Sequence, residues 1–419
     1  MKALAVILGA ALSLGPHAAA AELLDPPDLP PAQQVAAMIE QDPSVAQARA
    51  ALQAAEHTAA MARASPNEWT AKLHAQKRRY DAAGTSNEWG VQLERPVRIG
   101  GKAAIDAQLA GAILRQAGAK LGEARHEASR ALLDGWLDWL AAVRARELVA
   151  EQLAFVQANE KTVDTRRRAG DASTLELGVA KGDVAEVQRQ VSHASVQEDK
   201  AASRLRLRFP GLSLAMRPLS IPAELEGGEA QWLDKVLEVS ESLQVAQEEL
   251  KRAESVAARA SAERVPDPTV GVFTASEAFR GERIVGVSIS IPLGGTYRRE
   301  RAAEALAHVE VARAALEAER RALQLRVAET YSEAVSGVQR WRQAQAFASA
   351  AGETARLTQR AFTLGESDLQ AVLVVRKQLQ EARVAAEAAR VDALRARYRL
   401  WLDADSLWVR GGHGGDPQR

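Results

Sequence analysis

The chain contains no cysteine. Disulfides, thiolate metal sites and thiol nucleophiles are therefore excluded, as is an acylated cysteine as a membrane anchor. Net charge is missing as well: 54 Lys and Arg balance 54 Asp and Glu, which leaves no basic footprint for nucleic acid. Aromatic residues are only 4% of the chain, while alanine is abundant and charged residues reach 26%. That mixture belongs to long helices packed through small side chains, not to a compact enzyme core. Long apolar runs are lacking too. Beyond the N-terminus the longest, such as Ala371 to Val375, fall far short of the roughly 20 residues a membrane-spanning helix needs. If this protein crosses a membrane, it must cross as strands.

The N-terminus reads as an export signal. Lys2 precedes an apolar run, Ala3 to Leu14; Pro16 and His17 break it, and Ala18 to Ala21 offer a small-residue cleavage site before Glu22. Residues 1–21 are accordingly set apart from the fold, and 22–43, with Pro26, Pro27, Pro30 and Pro31, form an N-terminal extension.

Proline is absent between Pro96 and Pro210 and again between Pro292 and Pro417. Because proline costs about 3 kcal/mol inside a helix, both stretches permit very long helices. They are copies of each other. Pro96 and Pro292 each lead into paired glycines, Gly100-Gly101 and Gly294-Gly295, and Trp136 matches Tyr331 as Gly170 matches Gly365, 195 positions on. The repeats are placed at 44–210 and 231–405, joined by a linker at 211–230, with a flexible tail at 406–419.

Each repeat opens with a helix of about 20 residues, Val45 to Ala64 and Leu243 to Arg264, followed by two alternating segments. Trp89, Val91 and Leu93 share one face, with Gly90, Gln92 and Glu94 on the other; Val285, Val287, Ile289 and Ile291 oppose Gly286, Ser288 and Ser290. Trp69, Leu73 and Ala75 oppose Lys72, His74 and Gln76, and Thr269 to Ser276 is a weaker fourth strand. Period two over eight to ten residues is the half-apolar pattern of a barrel wall, since the long helices leave no second layer to supply a core.

From Gly101 to about Arg168 the helical pattern is unbroken, on the order of 100 Å at 1.5 Å per residue. Gly170-Asp171-Ala172-Ser173 turns the chain, with Ser173 placed to cap a return helix of about 50 Å, Thr174 to Phe209. The second return helix carries Val372, Val375, Leu379, Ala382, Ala386, Ala389, Ala393 and Ala396 on one seam. A return helix and the next short helix, end to end, match the long helix in height.

Catalytic signals are weak. The histidines are scattered without metal-ligand spacing, and nothing calls for a cofactor. Gly100-Gly101-Lys102 echoes a phosphate loop but lacks the rest of that motif, and a strand-to-helix turn explains it. Gly178 and Gly182 stand four apart on a helix too polar for lipid.

Taken together, the duplication, the strand pairs and the unequal helices resemble the TolC-type outer-membrane factors of tripartite efflux systems, over residues 32–405. The resemblance implies a mainly α fold with a small β part: duplicated hairpins forming an α-barrel, and four strands per subunit contributing to a 12-stranded transmembrane β-barrel in a homotrimer. It implies a place in the Gram-negative outer membrane with a periplasmic helical extension, and a passive duct served by a periplasmic adaptor and an inner-membrane pump. Outer-membrane lipid would meet Trp89, Val91, Leu93, Val285, Val287, Ile289 and Ile291. The turns holding Gly170, Asp171, Ser173, Gly365, Glu366 and Asp368 would form the periplasmic aperture and adaptor-docking surface, their acids favouring cations. The Ala-Gly-Asp and Leu-Gly-Glu-Ser-Asp-Leu turns look most like the cobalt–zinc–cadmium resistance branch. A drug-efflux or type I secretion channel would look nearly the same. A periplasmic adaptor would share the signal and a long hairpin, but with one hairpin set among many strands.

Overall fold

The computed structural model describes residues 24–64, 66–81 and 83–408; the stretch 1–21 read as an export signal and residues 409–419 lie outside the described residues. Helices α1 (Ala32–Gln41) and α2 (Pro43–Ala64) lead into strands β1 (Thr70–Tyr80) and β2 (Gly84–Pro96), then into the long helix α3 (Lys102–Ala169) and its return α4 (Thr174–Arg208). The same order recurs as α5 (Glu229–Val239), α6 (Glu241–Ala262), β3 (Thr269–Glu277), β4 (Glu282–Ser290), α7 (Thr296–Leu364) and α8 (Leu369–Asp403). Helix α1 falls within the stretch read above as an extension; α5 is its counterpart. Among the described residues no helix is long and apolar enough to cross a membrane.

The helices pack side by side. Helix α3 is packed between α2 and α4 on one side and α6 and α8 on the other, and α7 lies beyond α6 and α8. The short helices stack end to end: Arg208, closing α4, pairs at 2.9 Å with Asp42, which ends α1 and precedes α2. Small side chains permit the close approach. A methyl group on Gly337 of α7 would lie 3.1 Å from the Cα of Ala393 on α8, and Ala382, Ala386, Ala393 and Ala396 of the α8 seam are buried.

Midway along the helices sits the largest core, where Leu132, Leu133, Trp136, Leu137 and Leu140 of α3 meet Leu205, Phe209, Leu394 and Tyr398. Asp28, fully buried, ties the extended N-terminal segment into it. Its carboxylate accepts from the Tyr398 hydroxyl at 2.8 Å and the Ser220 N–H at 3.0 Å, and its carbonyl accepts from the Trp136 indole at 2.8 Å. Burial, then the nearby Asp28 charge, pushes the Tyr398 hydroxyl well above its ordinary pKa. Of the flexible tail expected at 406–419, the described residues 406–408 are instead packed against the N-terminal segment. The Ser406 carbonyl accepts from the Leu24 N–H, and the Leu407 and Trp408 side chains are buried in the same core because residues 406–408 lie against the N-terminal segment.

The strands form a single antiparallel sheet in the order β1-β2-β3-β4. Its central ladder joins the two repeats, with Leu93 opposite Val272. Four strands cannot close on themselves, so β1 and β4 are open edges.

Candidate functional site

The sheet has two unlike faces. Ladder partners share a face, so the registers place Leu73, Val91, Thr274 and Val285 in one row, and Ala71, Leu93, Val272 and Val287 in the next. Trp69, Val270, Ile289 and Ile291 (one residue past β4) extend this apolar surface. Nothing among the described residues covers it: Val285 is 82% and Val287 78% exposed. Trp89 and Leu93 are exposed beside them, while Val91 is half-buried. Val270 and Val272 belong to this surface but escaped the sequence reading. Their strand also carries Thr274 and Ser276 on the same face, which blurs its alternation.

The opposite face is polar and internally bonded. Lys72 pairs with Glu94 at 2.5 Å, and Gln92 donates to Glu94 and Ser288 at 2.7 and 3.1 Å. Gln76 donates to Glu88 at 2.8 Å. Two glycines on this face lie under rings: Gly90 beneath His74 and Gly286 beneath Phe273.

Where strands meet helices, charged groups fasten the joint. Lys102, 2% exposed, donates to the Asp267 carboxylate and the Val265 carbonyl, each at 2.6 Å. This lysine is consumed by structure, and Gly100 and Gly101 adopt left-handed backbone to make the turn. Asp106 joins Arg98 at 2.8 Å and Arg259 at 2.5 Å.

The hairpin tips, at the far end of the helices, are built alike. Gly170 and Gly365 take the left-handed cap position, and the following N–H of Asp171 or Glu366 bonds back to Arg166 or Ala361 at 2.8 and 2.9 Å. Ser173 caps α4 in a reciprocal box with Glu176, whose carboxyl is held below its usual range first by the Ser173 N–H and then by the hydroxyl. Asp368 caps α8. The two tips also pack on each other through Val163, Leu177, Phe362, Leu369 and Val372. Arg166 lies over the Phe362 ring, 5.2 Å from its centroid, and Arg167 and Arg168 both pair with Asp164. The tips therefore carry both signs of charge, where the sequence reading singled out the acids alone.

The two long helices differ in their surroundings. Helix α3, flanked on both sides, buries 20 of its 68 residues; α7, an outer element, buries 11 of 69. None of the exposed large apolar residues is on α3, whereas α7 presents Leu306, Val311, Leu325, Val335, Phe347, Leu357 and Leu364. On the opposite flank, α4 presents Leu175, Val179, Val196 and Leu207. The uncovered helical flanks lie at the same two sides of the chain as the open strand edges.

No protein-family model and no curated protein sequence matches the chain. Solved structures do. The outer membrane protein VceC of Vibrio cholerae is similar with a TM-score of 0.74 at 16% identity, over 90% of this chain and 97% of VceC. A membrane protein from Pseudomonas aeruginosa gives 0.75 at 18% identity, over 92% and 91%. The CmeC outer membrane channel of Campylobacter jejuni gives 0.72 at 12% identity, over 90% and 86%. The chain has the fold of these membrane proteins. At such identities the likeness is one of architecture, and it runs through both hairpins and the sheet together. That architecture is unlike the single hairpin among β-rich domains expected of an adaptor.

Proposed function

We propose that the chain is a subunit of a TolC-type outer-membrane duct: a homotrimer whose twelve strands close a barrel in the lipid and whose helices continue into the periplasm. The observation that carries this reading is an uncovered apolar sheet face on a sheet with two open edges. In water that face would remain unburied, at about 25 cal/mol for each Å² left exposed; in a bilayer it is at home. Each β4 would pair with the β1 of the next copy, and each α7 flank would cover an α2/α4 flank. The bonded polar face would then line the lumen. The hairpin tips, with Gly170, Asp171, Ser173, Gly365, Glu366 and Asp368, would be the aperture where a periplasmic adaptor docks and through which an inner-membrane pump delivers cargo. The turn sequences favour heavy-metal cations as that cargo, passed through without catalysis.

Crosslinking of protein extracted from outer membranes in detergent tests the assembly. A three-subunit species is expected. A periplasmic monomer, or a closed assembly of another order, would overturn it. Loss of cobalt, zinc or cadmium tolerance on deletion, restored by the intact chain, tests the cargo.

A further inference from the structure

The end of the sheet farthest from the helices carries an arrangement that barrel closure does not require. Strand β2 pairs with β3 only from Trp89 to Pro96, so residues 84–88 have no partner on that side. Rather than continuing along the strands, the β3–β4 connection, a single tight turn at Ala278–Arg280, folds across this vacant edge onto the polar face. Its backbone is held by side chains of β2. The Phe279 N–H donates to Ser86 Oγ at 2.7 Å, and the Ala278 N–H donates to Glu88 Oε1 at 3.3 Å. Glu88 also accepts from the Tyr80 hydroxyl at 3.1 Å and pairs with Arg78 at 3.3 Å, while Arg78 reaches Glu277 beside the turn. The Tyr80 and Phe279 rings lie 5.4 Å apart. Ser86 and Glu88 are consequently 1% and 3% exposed, although both point to the polar side of an open sheet.

The turn is held against its own backbone preference. Ala278, Phe279 and Arg280 all have positive φ, at 49°, 59° and 69°, a left-handed region that L-residues with side chains avoid. Three such residues in succession persist only where surrounding bonds fix them. A relaxed hairpin turn would carry glycine or asparagine at such positions and continue outward with the strands.

We propose that the β3–β4 turn is a plug over the outer mouth of the duct, latched by Glu88 and Ser86 and carrying Phe279 as its obstructing group. This rests on the duct reading, since only in a closed barrel does the polar face become a lumen. Three copies then bring three Phe279 rings inward at one level. Release of the Glu88 contacts would let the turn relax outward and widen the mouth.

The absence of native cysteine makes the test direct. Ser86→Cys with Phe279→Cys should form a disulfide within one chain on mild oxidation. Thr85→Cys with Phe279→Cys should not, because Thr85 points to the opposite face. Equal crosslinking of the two pairs, or none with the Ser86 pair, would overturn the placement of the turn. In planar bilayers, Glu88→Ala should raise unitary conductance, and Phe279→Ala should do so even with the latch intact. Unaltered conductance in both variants would show that the turn obstructs nothing. Absence of any conductance, with the Ser86 disulfide still forming, would remove the duct reading, and the plug with it, while leaving the turn where it lies.

Discussion

Ser173 and Asp368 stand 195 positions apart and make the same bond: each side-chain oxygen accepts the N–H three residues on, from Glu176 at 3.1 Å and from Ala371 at 2.7 Å. Asp368 is thus a structural cap before it is a charge. Asp368→Ala is expected to destabilise the second hairpin by about 1 kcal/mol, and Asp368→Ser to recover most of that. Denaturant midpoints of the three proteins check this; identical midpoints would mean that the cap is dispensable.

That separation of roles permits a clean test of the tip charges. Asp171→Asn, Glu366→Gln and Asp368→Ser together remove three acids and keep both caps. Arg166, Arg167 and Arg168 remain, so the reversal potential in a salt gradient should move away from cation preference. No movement would reduce these acids to ordinary turn residues.

Neighbouring positions on β4 should behave oppositely. Val287 lies on the exposed apolar face, so Val287→Arg is expected to cost about 2–4 kcal/mol near the bilayer midplane and to block assembly. Ser288 lies on the polar face within reach of Gln92, and Ser288→Arg should assemble. Heat-modifiable mobility on gels distinguishes them, and equal assembly of both would reverse the assignment of faces.

Asp403, near the end of α8, is bound by His126 at 3.2 Å and Arg130 at 2.8 Å. Burial works to raise its pKa, but those partners outweigh it, and the carboxyl is held below its ordinary 3.8. A lowered folded-state pKa gives stability that is present above about pH 4 and lost as pH falls through the folded value. Asp403→Asn removes one of the two carboxylates that meet Arg130, Glu127 at 3.2 Å being the other, and should cost about 1.5–3 kcal/mol at pH 7 as a lost charged hydrogen bond. As pH falls below the ordinary 3.8 and through the lowered folded value, the difference from the parent should shrink, as followed by helical circular dichroism in denaturant. A gap that does not change with pH would assign the loss to packing.

Much of this fold is legible in the sequence because its signals are long and local. Strands β2 and β4 alternate cleanly, the proline-free stretches mark α3 and α7, and the Gly-acid turns recur at a constant offset. What escaped depends on partners distant in the chain. Phe273 sits on the polar face of β3 only because Gly286 across the ladder leaves room for its ring. Leu407 and Trp408 offer too short a run to show periodicity, yet the N-terminal segment buries them. Arg166 looks like an ordinary helix end until Phe362, from the other hairpin, lies beneath it. The break between α1 and α2, by contrast, is announced locally: Pro43 starts α2 and keeps Asp42 out of the helix, and Arg208 from α4 only adds to it.

Pro96 and Thr269 are ladder partners, yet all of α3 to α6 lies between them in sequence. The hairpins are made of local contacts and can form as soon as each emerges. The sheet cannot: its central ladder needs a loop closure over that whole distance. As the chain is made, β1 and β2 therefore arrive first and wait, a hairpin with one apolar face and a bare edge, until the second repeat has followed them. Such an edge is a template for aggregation. The first hairpin of the sheet is therefore the segment most in need of shielding before the second repeat arrives, and the helices, not the sheet, are the first native structure the chain acquires.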